Sequence, residues 1–328
     1  MRLLIFAGSN SQIPANAVLA TLHAAAIDPE LEVCGLVTTQ PSQFEHWPAR
    51  VRAQRAVKDT LVAWANRERA ASPHVPRRVD GRTLSDRGVP LIVPNGGNVN
   101  SPEFLQRLRL ELRPDVALSY FFGTIFKRPL LEQLPQAVNL HPALLPKHRG
   151  LRPTAFARYD DDEYTGLTFH RMSEGIDTGP ILLQKRVRID AEESNRALGT
   201  RLAIATASAV PEMLDLVRSN APGRPQEGVA SYHSAADAQC IMDVTRPDSI
   251  THDELCRRIQ AFGTVEITID GAVVPVTRLR RARAGAPLAF RTADGVVVAP
   301  DRVSQVPLSY VRLKQATTRL RRPRTLLR

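Results

Sequence analysis

The first forty residues alternate between short apolar runs and one helical stretch, and this alternation limits the folds that the chain can adopt. An apolar run at residues 3–6 ends at Gly8, residues 15–27 have helical character, and residues 32–37 are apolar again. Strands that alternate with helices build parallel sheets with helices on their faces. The sequence therefore predicts an α/β protein with a mainly parallel sheet.

The same alternation continues through the first two thirds of the chain. Further strands are expected at 90–93, 115–119, 167–172 and 181–189, and further helices at 49–69, 101–112 and 195–217. Another strand is expected to carry Asn139 and His141. Beyond residue 228 the pattern changes to short alternating strands with an Asp-Gly turn, together with one capped helix, which is typical of a small β-barrel.

Three polar residues stand out in the middle of the chain. Asn139 and His141 are two residues apart, so on a strand both side chains project from the same face. Pro142 and Pro146 end that strand and force an extended turn. Asp177 follows in a Gly-flanked loop and can supply a carboxylate. An amide and an imidazole therefore meet at a strand terminus, where open α/β sheets usually bind their ligands.

An isolated Asn-x-His pair is typical of a strand-end cap, so spacing and context decide its interpretation. The pair is followed by Leu144-Leu145-Pro146, and Asp177 lies 36 residues after His141. This pattern resembles the folate-dependent formyltransferases, whose signature is Asn-x-His-x-Ser-Leu-Leu-Pro followed by an Asp-x-Gly-Pro loop. The resemblance implies a Rossmann-like catalytic domain and catalysis by Asn139, His141 and Asp177. Ala143 stands where that family usually has Ser.

The resemblance also implies a co-substrate and the residues that hold it. The co-substrate is 10-formyltetrahydrofolate, and no metal is expected. Residues expected by resemblance to contact it are Thr124, Ile125, Phe126, Leu144, Leu145, Pro146, Gly175 and Ile176. The aromatic run that contains Phe126 is also consistent with simple packing at a strand end. His148, Arg149 and His170 are lesser site candidates, and His170 fits a packing role because it alternates with Thr168.

Formyl transfer to an amine passes through a tetrahedral intermediate with an oxyanion. The Asn139 amide can donate to that oxygen, and one such donor is worth about 10²–10³ in rate. His141 can act as a donor or an acid, and a positioned acid–base residue is worth about 10²–10⁴. Asp177 can orient the imidazole and relay the amine proton through water. The substrate amine attacks directly, so no nucleophilic side chain is required.

The net charge of +11 is concentrated in two stretches. Residues 229–328 hold 16 Arg and Lys against 9 Asp and Glu, and residues 48–88 hold 10 against 4. Basic patches attract the phosphates of RNA, of a nucleotide or of a folate polyglutamate tail. An Arg-rich solvated face gives the same composition, so these patches leave the partner open.

Cysteine usage and hydropathy predict a cytoplasmic protein. The three cysteines, Cys34, Cys240 and Cys256, share no ligand spacing, which predicts neither a disulfide framework nor a zinc site. No apolar run approaches the roughly 20 residues of a membrane span. The N-terminal apolar stretch is too short for a signal peptide and is interpreted as a buried strand.

At 328 residues the chain is long enough for two domains. The expected segments are a catalytic domain at 1–217 with an atypical insertion at 43–90, a linker at 218–228, an OB-like domain at 229–316 and a basic tail at 317–328. The C-terminal domain is expected by resemblance to the tRNA formyltransferases and to some sugar or metabolite formyltransferases.

The formyl acceptor is the open question. In tRNA formyltransferases a basic, Gly-containing loop follows the strand that here ends at Thr39-Gln40-Pro41, and a longer insertion replaces it in this chain. Its absence favours a small amine, such as an amino sugar or an ornithine-type hydroxylamine. The two-domain layout and the basic C-terminal half favour methionyl-tRNA. A folate- or RNA-binding relative without activity is a third hypothesis, for which Ala143 is the local indication.

Overall fold

The computed structural model describes residues 1–8, 11–41, 79 and 81–303. The predicted helix at 49–69 and the basic tail at 317–328 lie outside these residues. The chain divides into two compact units, Met1–Ser234 and Ala235–Arg328.

The first unit contains nine strands and six helices among the described residues. Its strands are β1 (Arg2–Ala7), β2 (Glu32–Val37), β3 (Leu91–Ile92), β4 (Val116–Tyr120), β5 (Gln136–His141), β6 (Arg149–Gly150), β7 (Tyr164–Arg171), β8 (Ile181–Arg188) and β9 (Tyr232–His233). Its helices are α1 (Gln12–Ile27), α2 (Gly81–Ser85), α3 (Pro102–Arg107), α4 (Arg128–Leu131), α5 (Pro153–Tyr159) and α6 (Asn195–Arg218).

Seven of these strands form one sheet in the order β3-β2-β1-β4-β5-β7-β8. The first five are parallel to one another, whereas β7 runs antiparallel to both β5 and β8. The prediction of a mainly parallel sheet is confirmed. The remaining two strands, β6 and β9, pair in parallel over two residues each.

The central strand β1 separates two apolar cores. Leu3 and Ile5 pack in the core that contains α1 and α6, whereas Leu4 and Phe6 pack in a second core on the opposite face of the sheet. All four side chains are fully buried. Strands covered on both faces consist of continuous apolar runs, as β1 does from Leu3 to Ala7.

Two predicted helices can be compared with the structure at their ends. The predicted helix at 195–217 is α6, and the Ser194 hydroxyl caps its first turn by accepting from the Ala197 N–H at 3.2 Å. The predicted helix at 101–112 is α-helical only over α3 and continues as a π-helical turn at Leu108–Leu112. A π-helical turn spans one residue more than an α-helical turn, which a simple apolar period does not reveal.

The segment at 218–228, expected to be a linker, lies against the first unit. Arg224 exchanges two backbone hydrogen bonds of 2.8 Å with Ile181, the first residue of β8. Gln226 bonds to the loop that carries Asp177. The chain therefore returns to the sheet after α6 before it enters the second unit.

The second unit is a five-stranded sheet with two helices among the described residues. Its elements are α7 (Ala235–Met242), β10 (Asp243–Val244), α8 (His252–Phe262), β11 (Val265–Ile269), β12 (Ala272–Arg281), β13 (Phe290–Arg291) and β14 (Val297–Val303). The predicted cap is present, since the Thr251 hydroxyl accepts from the Glu254 N–H at 3.3 Å. The predicted Asp-Gly hairpin joins β11 to β12, with Asp270 and Gly271 at φ +49° and +78°.

The expected β-barrel is not seen in the described part of the second unit. The strand order is β10-β11-β12-β14-β13, so β10 and β13 are open edges of only two residues each. The sheet is therefore not closed over residues 235–303. Within the described part of the chain, no helix combines the length and the apolar composition needed to span a membrane.

Candidate active site

The end of β5 presents Asn139 and His141 on one face of the sheet, as their spacing predicts. Strand β5 lies between β4 and β7, with Asn139 opposite Ser119 on one side and His170 on the other. His141 is only 4% exposed. The antiparallel partner β7 therefore adds a second imidazole next to the Asn139 amide.

The Asn139 amide nitrogen lies between two acceptors. It is 3.1 Å from Nε2 of His170 and 3.2 Å from Oδ1 of Asp177. Nδ1 of His170 lies 2.9 Å from the Arg171 carbonyl, which can only accept, so this nitrogen carries a proton. His170 thus accepts one N–H of the Asn139 amide and holds the amide so that its other N–H is directed toward the carboxylate.

Asp177 is the centre of the cluster. Its Oδ1 lies 3.4 Å from His170 Nε2, and its Oδ2 lies 3.3 Å from His141 Nδ1 and accepts from the Gly150 N–H at 2.9 Å. Burial alone would raise the pKa of Asp177, but the contact with His170, the nearby ring of His141 and the Gly150 N–H lower it to about 2. The carboxylate is therefore ionised at neutral pH.

Close backbone contacts fix the loop that carries Asp177. The Asp177 backbone is left-handed, at φ +53°. A Cβ on Gly179 would lie 1.9 Å from the Arg171 carbonyl oxygen, so only glycine fits beside the end of β7. The Gln226 amide donates to the carbonyls of Asp177 and Gly179, at 2.8 Å each. The returning segment after α6 therefore secures the loop from outside.

Both ring nitrogens of His141 have assigned neighbours. Nε2 is 2.7 Å from the carbonyl oxygen of His148, so Nε2 carries a proton, and Nδ1 faces Asp177. Burial lowers the pKa of His141, and the Asp177 charge and the His148 carbonyl only partly oppose this. The imidazole is therefore neutral at pH 7, with the proton on Nε2 and the lone pair on Nδ1.

The turn after His141 is organised by a hydroxyl from the neighbouring strand. The Thr168 hydroxyl donates to the Ala143 carbonyl at 2.7 Å and lies 3.3 Å from the Leu145 N–H. The Gln184 amide donates to the same hydroxyl at 2.9 Å and to the Leu145 carbonyl at 3.0 Å. Ala143, which replaces the family Ser, is fully buried.

The residues expected by resemblance to contact the folate lie in three loops at the carboxyl ends of the strands. Ile125 and Ile176 are exposed, at 60% and 41%, whereas Leu145 is buried. Phe126 packs edge-on against Phe6 in the core, with ring centroids 4.8 Å apart. The packing interpretation therefore describes Phe126. The remaining expected contacts are the half-buried Thr124, Leu144 and Pro146 and the exposed Gly175.

Four site residues were missed or underrated by sequence reasoning. His170 was considered a packing residue, and its role depends on the β5–β7 register, which no local pattern encodes. Gly150 and His148 act through main-chain groups, which carry no sequence signal. Gln226 lies in a stretch whose composition resembles a linker.

Comparison with known proteins shows the family of this chain. A family model described as Formyl transferase matches residues 20–214. The methionyl-tRNA formyltransferase of Xanthomonas campestris is 33% identical over 222 residues, which are 66% of this chain and 69% of that protein. That of Myxococcus xanthus is 34% identical over 224 residues, which are 65% of this chain and 69% of that protein.

Solved structures share the fold at lower identity. A sugar N-formyltransferase from a Shewanella species has a TM-score of 0.60 at 18% identity, covering 85% of this chain and 97% of its own. An N-formyltransferase from Helicobacter canadensis, in complex with folinic acid and dTDP-3-aminofucose, has a TM-score of 0.56 at 16% identity, covering 92% and 99%. The matched family model spans more than half of the chain, so the protein belongs to the formyltransferase family, as its Asn-x-His and Asp motif predicted, and is a transferase.

Proposed function

We propose that the protein is a cytoplasmic N-formyltransferase that moves the formyl group of 10-formyltetrahydrofolate to a primary amine or hydroxylamine. The observation that carries this proposal is the convergence of Asn139, His141 and Asp177 at one strand end. The Asn139 amide nitrogen lies 3.2 Å from one Asp177 oxygen, and His141 Nδ1 lies 3.3 Å from the other. These three groups supply an oxyanion donor, a base and an ionised carboxylate, which are the functions that acyl transfer to an amine needs.

In the proposed reaction the amine nitrogen attacks the formyl carbon and forms the new C–N bond. The formyl oxygen becomes an oxyanion, and the Asn139 amide exchanges one of its present acceptors for that oxygen. Collapse of the intermediate breaks the bond between the formyl carbon and N10 of the folate. Formamide product and tetrahydrofolate leave, so the formyl group is transferred without oxidation or reduction.

His141 carries the proton from the attacking amine to the departing folate nitrogen. The neutral His141 takes the amine proton on Nδ1, since Nε2 already carries a proton that the His148 carbonyl accepts. The resulting imidazolium is stabilised by the ionised Asp177. His141 then returns the proton to the departing folate nitrogen, which closes the proton balance.

The acceptor in our proposal is a small amine, such as an amino sugar or an ornithine-type hydroxylamine. The strand β2 leads into Thr39-Gln40-Pro41, and the sequence beyond it lacks a Gly-containing basic run. In tRNA formyltransferases a Gly-Arg-Gly-Lys-like run follows this strand and grips the acceptor stem. The longer insertion at 43–90 of this chain lacks that run, which favours a small acceptor.

Methionyl-tRNA is the second candidate, favoured by two observations. Relatives about one third identical to this chain are named methionyl-tRNA formyltransferases. The second unit, for which an OB-like architecture is our proposal, also carries the exposed Arg278, Arg280 and Arg281 on β12. Exposed arginines attract phosphates, and binding through them should weaken steeply with salt.

Turnover with two kinds of acceptor tests the proposal. Purified full-length protein receives 10-formyltetrahydrofolate with charged initiator tRNA in one reaction and with a panel of amino sugars and hydroxylamines in another. Formylation of a small amine alone supports the proposal, and formylation of tRNA alone supports the second candidate. Folate binding without formylation of any acceptor would instead favour a binding protein that lacks activity.

Asn139→Ala should lower kcat by about 10²–10³, because it removes one oxyanion donor. The KM for the formyl donor should change little, since the lost contact forms only in the transition state. Steady-state kinetics with both substrates varied measures this separation. Glu174→Gln, an exposed change in the nearby Asp177 loop, serves as the control and should retain wild-type kcat.

The pH dependence of kcat/KM for the formyl donor should show a single acid limb with its midpoint below 6.5. Burial lowers the pKa of His141 from 6.5, so the reactive neutral imidazole predominates above that midpoint and is lost as pH falls through it. Asp177, with a pKa of about 2, adds no limb between pH 4 and 9.

Protonation of the acceptor amine also produces an acid limb, so two acceptors of different basicity are needed as a control. A limb that belongs to the acceptor moves with its pKa, whereas a limb that belongs to His141 stays in place. A midpoint that follows the acceptor in every case would contradict the assignment of His141 as the base.

A further inference from the structure

His148 is buried beside the proposed catalytic groups, and its side chain has no role in the reaction derived above. Its backbone is left-handed, at φ +56°, which is unfavourable for a residue with a Cβ. Its N–H donates to the Ser231 hydroxyl at 2.8 Å, and its carbonyl accepts from His141. The surroundings must therefore hold this conformation in place.

The side chain of His148 lies between a carboxylate and a second imidazole. Nε2 is 2.8 Å from Oδ2 of Asp162, and Nδ1 is 3.1 Å from Nε2 of His233. We name Asp162, His148 and His233 the imidazole chain. Lys147 donates to the other Asp162 oxygen at 2.8 Å, and Asp160 lies 3.8 Å from His148 Nδ1. These are the charged groups that face His148.

The chemistry of the imidazole chain fixes the direction of its hydrogen bonds. Burial opposes ionisation of Asp162, but the bonds from Lys147 and His148 outweigh it and lower the Asp162 pKa. An ionised carboxylate only accepts, so His148 Nε2 carries a proton. In the neutral ring, His148 Nδ1 then accepts from the protonated Nε2 of His233.

His148, His233 and the nearby Asp160 also have the composition of a metal site, whereas the short contacts of His148 are those of a hydrogen-bonded chain. The rings of His148 and His233 are 19° from parallel, with centroids 5.3 Å apart, so the two nitrogens face each other edge to edge. An ion bound at about 2.0–2.1 Å from each nitrogen would lie to one side of the 3.1 Å line between them, off the axis along which the two nitrogens face each other.

The main chain at the two-residue strand β6 contacts both His141 and Asp177. The residue before it, His148, directs its carbonyl at His141, and Gly150 directs its N–H at Asp177. Its partner β9 contains His233 and follows Ser231 directly. The returning chain therefore reaches both catalytic side chains through β6.

We propose that His148 is a positioning residue, held by the imidazole chain so that its carbonyl keeps the proton of His141 on Nε2 and leaves Nδ1 as the basic nitrogen beside Asp177. This inference rests on the proposed function, in which His141 is the base. Asp162 and His233 hold the side chain of His148, and the carbonyl of His148 in turn selects the reactive tautomer of His141.

Two substitutions at His233 separate the hydrogen bond from the packing. The His233 ring stacks on Phe156, with centroids 3.6 Å apart and planes 6° from parallel. His233→Phe keeps a stacked ring and removes the donor, whereas His233→Gln keeps an N–H donor and removes the ring. His23→Phe, at an exposed position of α1, is the matched control.

We expect His233→Phe to lower kcat roughly tenfold, a part of the full contribution of a general base, without changing the KM for the formyl donor. The acid limb should move to lower pH, since the His148 carbonyl favours the protonated ring of His141. The groups facing His141 in this titration are Asp177, His170 and His148. His233→Gln should restore the midpoint.

A purely structural role predicts a different pattern. Partial misfolding lowers the active fraction and the amplitude, but it leaves the midpoint of the acid limb in place for both variants. An unmoved midpoint in His233→Phe, or equal loss in His233→Gln, would overturn the proposal. So would stoichiometric Zn²⁺ binding that is lost in both His233 variants.

A readout independent of turnover keeps this inference distinct from the proposed function. In protein with ¹⁵N-labelled histidine, the ring shifts of His141 report which nitrogen carries the proton. We expect the Nε2–H tautomer in the wild type and a mixture in His233→Phe. If His233→Phe changes the tautomer but the wild type transfers no formyl group, only the proposed formyl transfer is refuted. If the His141 ring shifts are the same in both proteins, the positioning role of His148 is refuted.

Discussion

Asp177→Asn should lower the kcat of formyl transfer by about three decades. The carboxylate is 10% exposed and lies 3.3 Å from the nitrogen of His141 that becomes positive in the reaction. Opposite charges about 4 Å apart attract by about 4 kcal/mol at an effective dielectric constant of about 20. That energy corresponds to about 10³ in rate. An amide of the same shape keeps the size of the side chain but loses this charge.

The measurement is single-turnover formyl transfer at saturating formyl donor, together with thermal unfolding. Glu174→Gln is again the matched control, because Glu174 lies in the same loop with 68% of its side chain exposed and forms an ion pair with Arg128 at 3.7 Å. A kcat of Asp177→Asn close to that of Glu174→Gln would show that the Asp177 charge does not act in the transition state.

His141→Gln should lower kcat by about 10²–10⁴, the range for loss of a positioned base. The glutamine amide can donate to the His148 carbonyl, but it has no nitrogen that titrates near neutral pH. The acid limb of the pH profile should therefore disappear together with most of the activity. Loss of both features is expected only if His141 is the titrating base.

The control for this variant is His23→Gln on α1, which changes an exposed histidine of the same unit. Circular dichroism and folate binding should be unchanged in both variants. An acid limb that persists in His141→Gln would assign the titration to another group, and His170 would be the first to examine because it is buried beside the same carboxylate.

Local sequence patterns predicted the features that depend on neighbours in the chain. The two-residue spacing of Asn139 and His141 fixes a common face on any strand, and the run of apolar residues in β1 requires burial on both sides. The Thr251 cap and the Asp270-Gly271 turn are equally local. Each of these predictions needs only the period of the element or the chemistry of one turn.

Features that depend on register or on distant segments were not predictable in this way. Asn139 faces His170 because β7 pairs with β5 antiparallel in one register, and a shift by one residue would turn His170 away. Gln226 reaches Asp177 across 49 residues of sequence. Neither the periodicity nor the composition of either segment contains information about these partners.

The return of the chain after α6 bears on how acceptor specificity can be exchanged within this family. Composition suggests a junction in the Pro- and Gly-rich stretch at 218–228, yet the contacts of Gln226, Ser231 and His233 all lie beyond its first half. A hybrid joined at residue 220 would take His141 and Asp177 from one protein and the residues that contact their loops, Gln226, Ser231 and His233, from another. Chimaeras joined between Ser234 and Ala235 keep that support with the chain that evolved it.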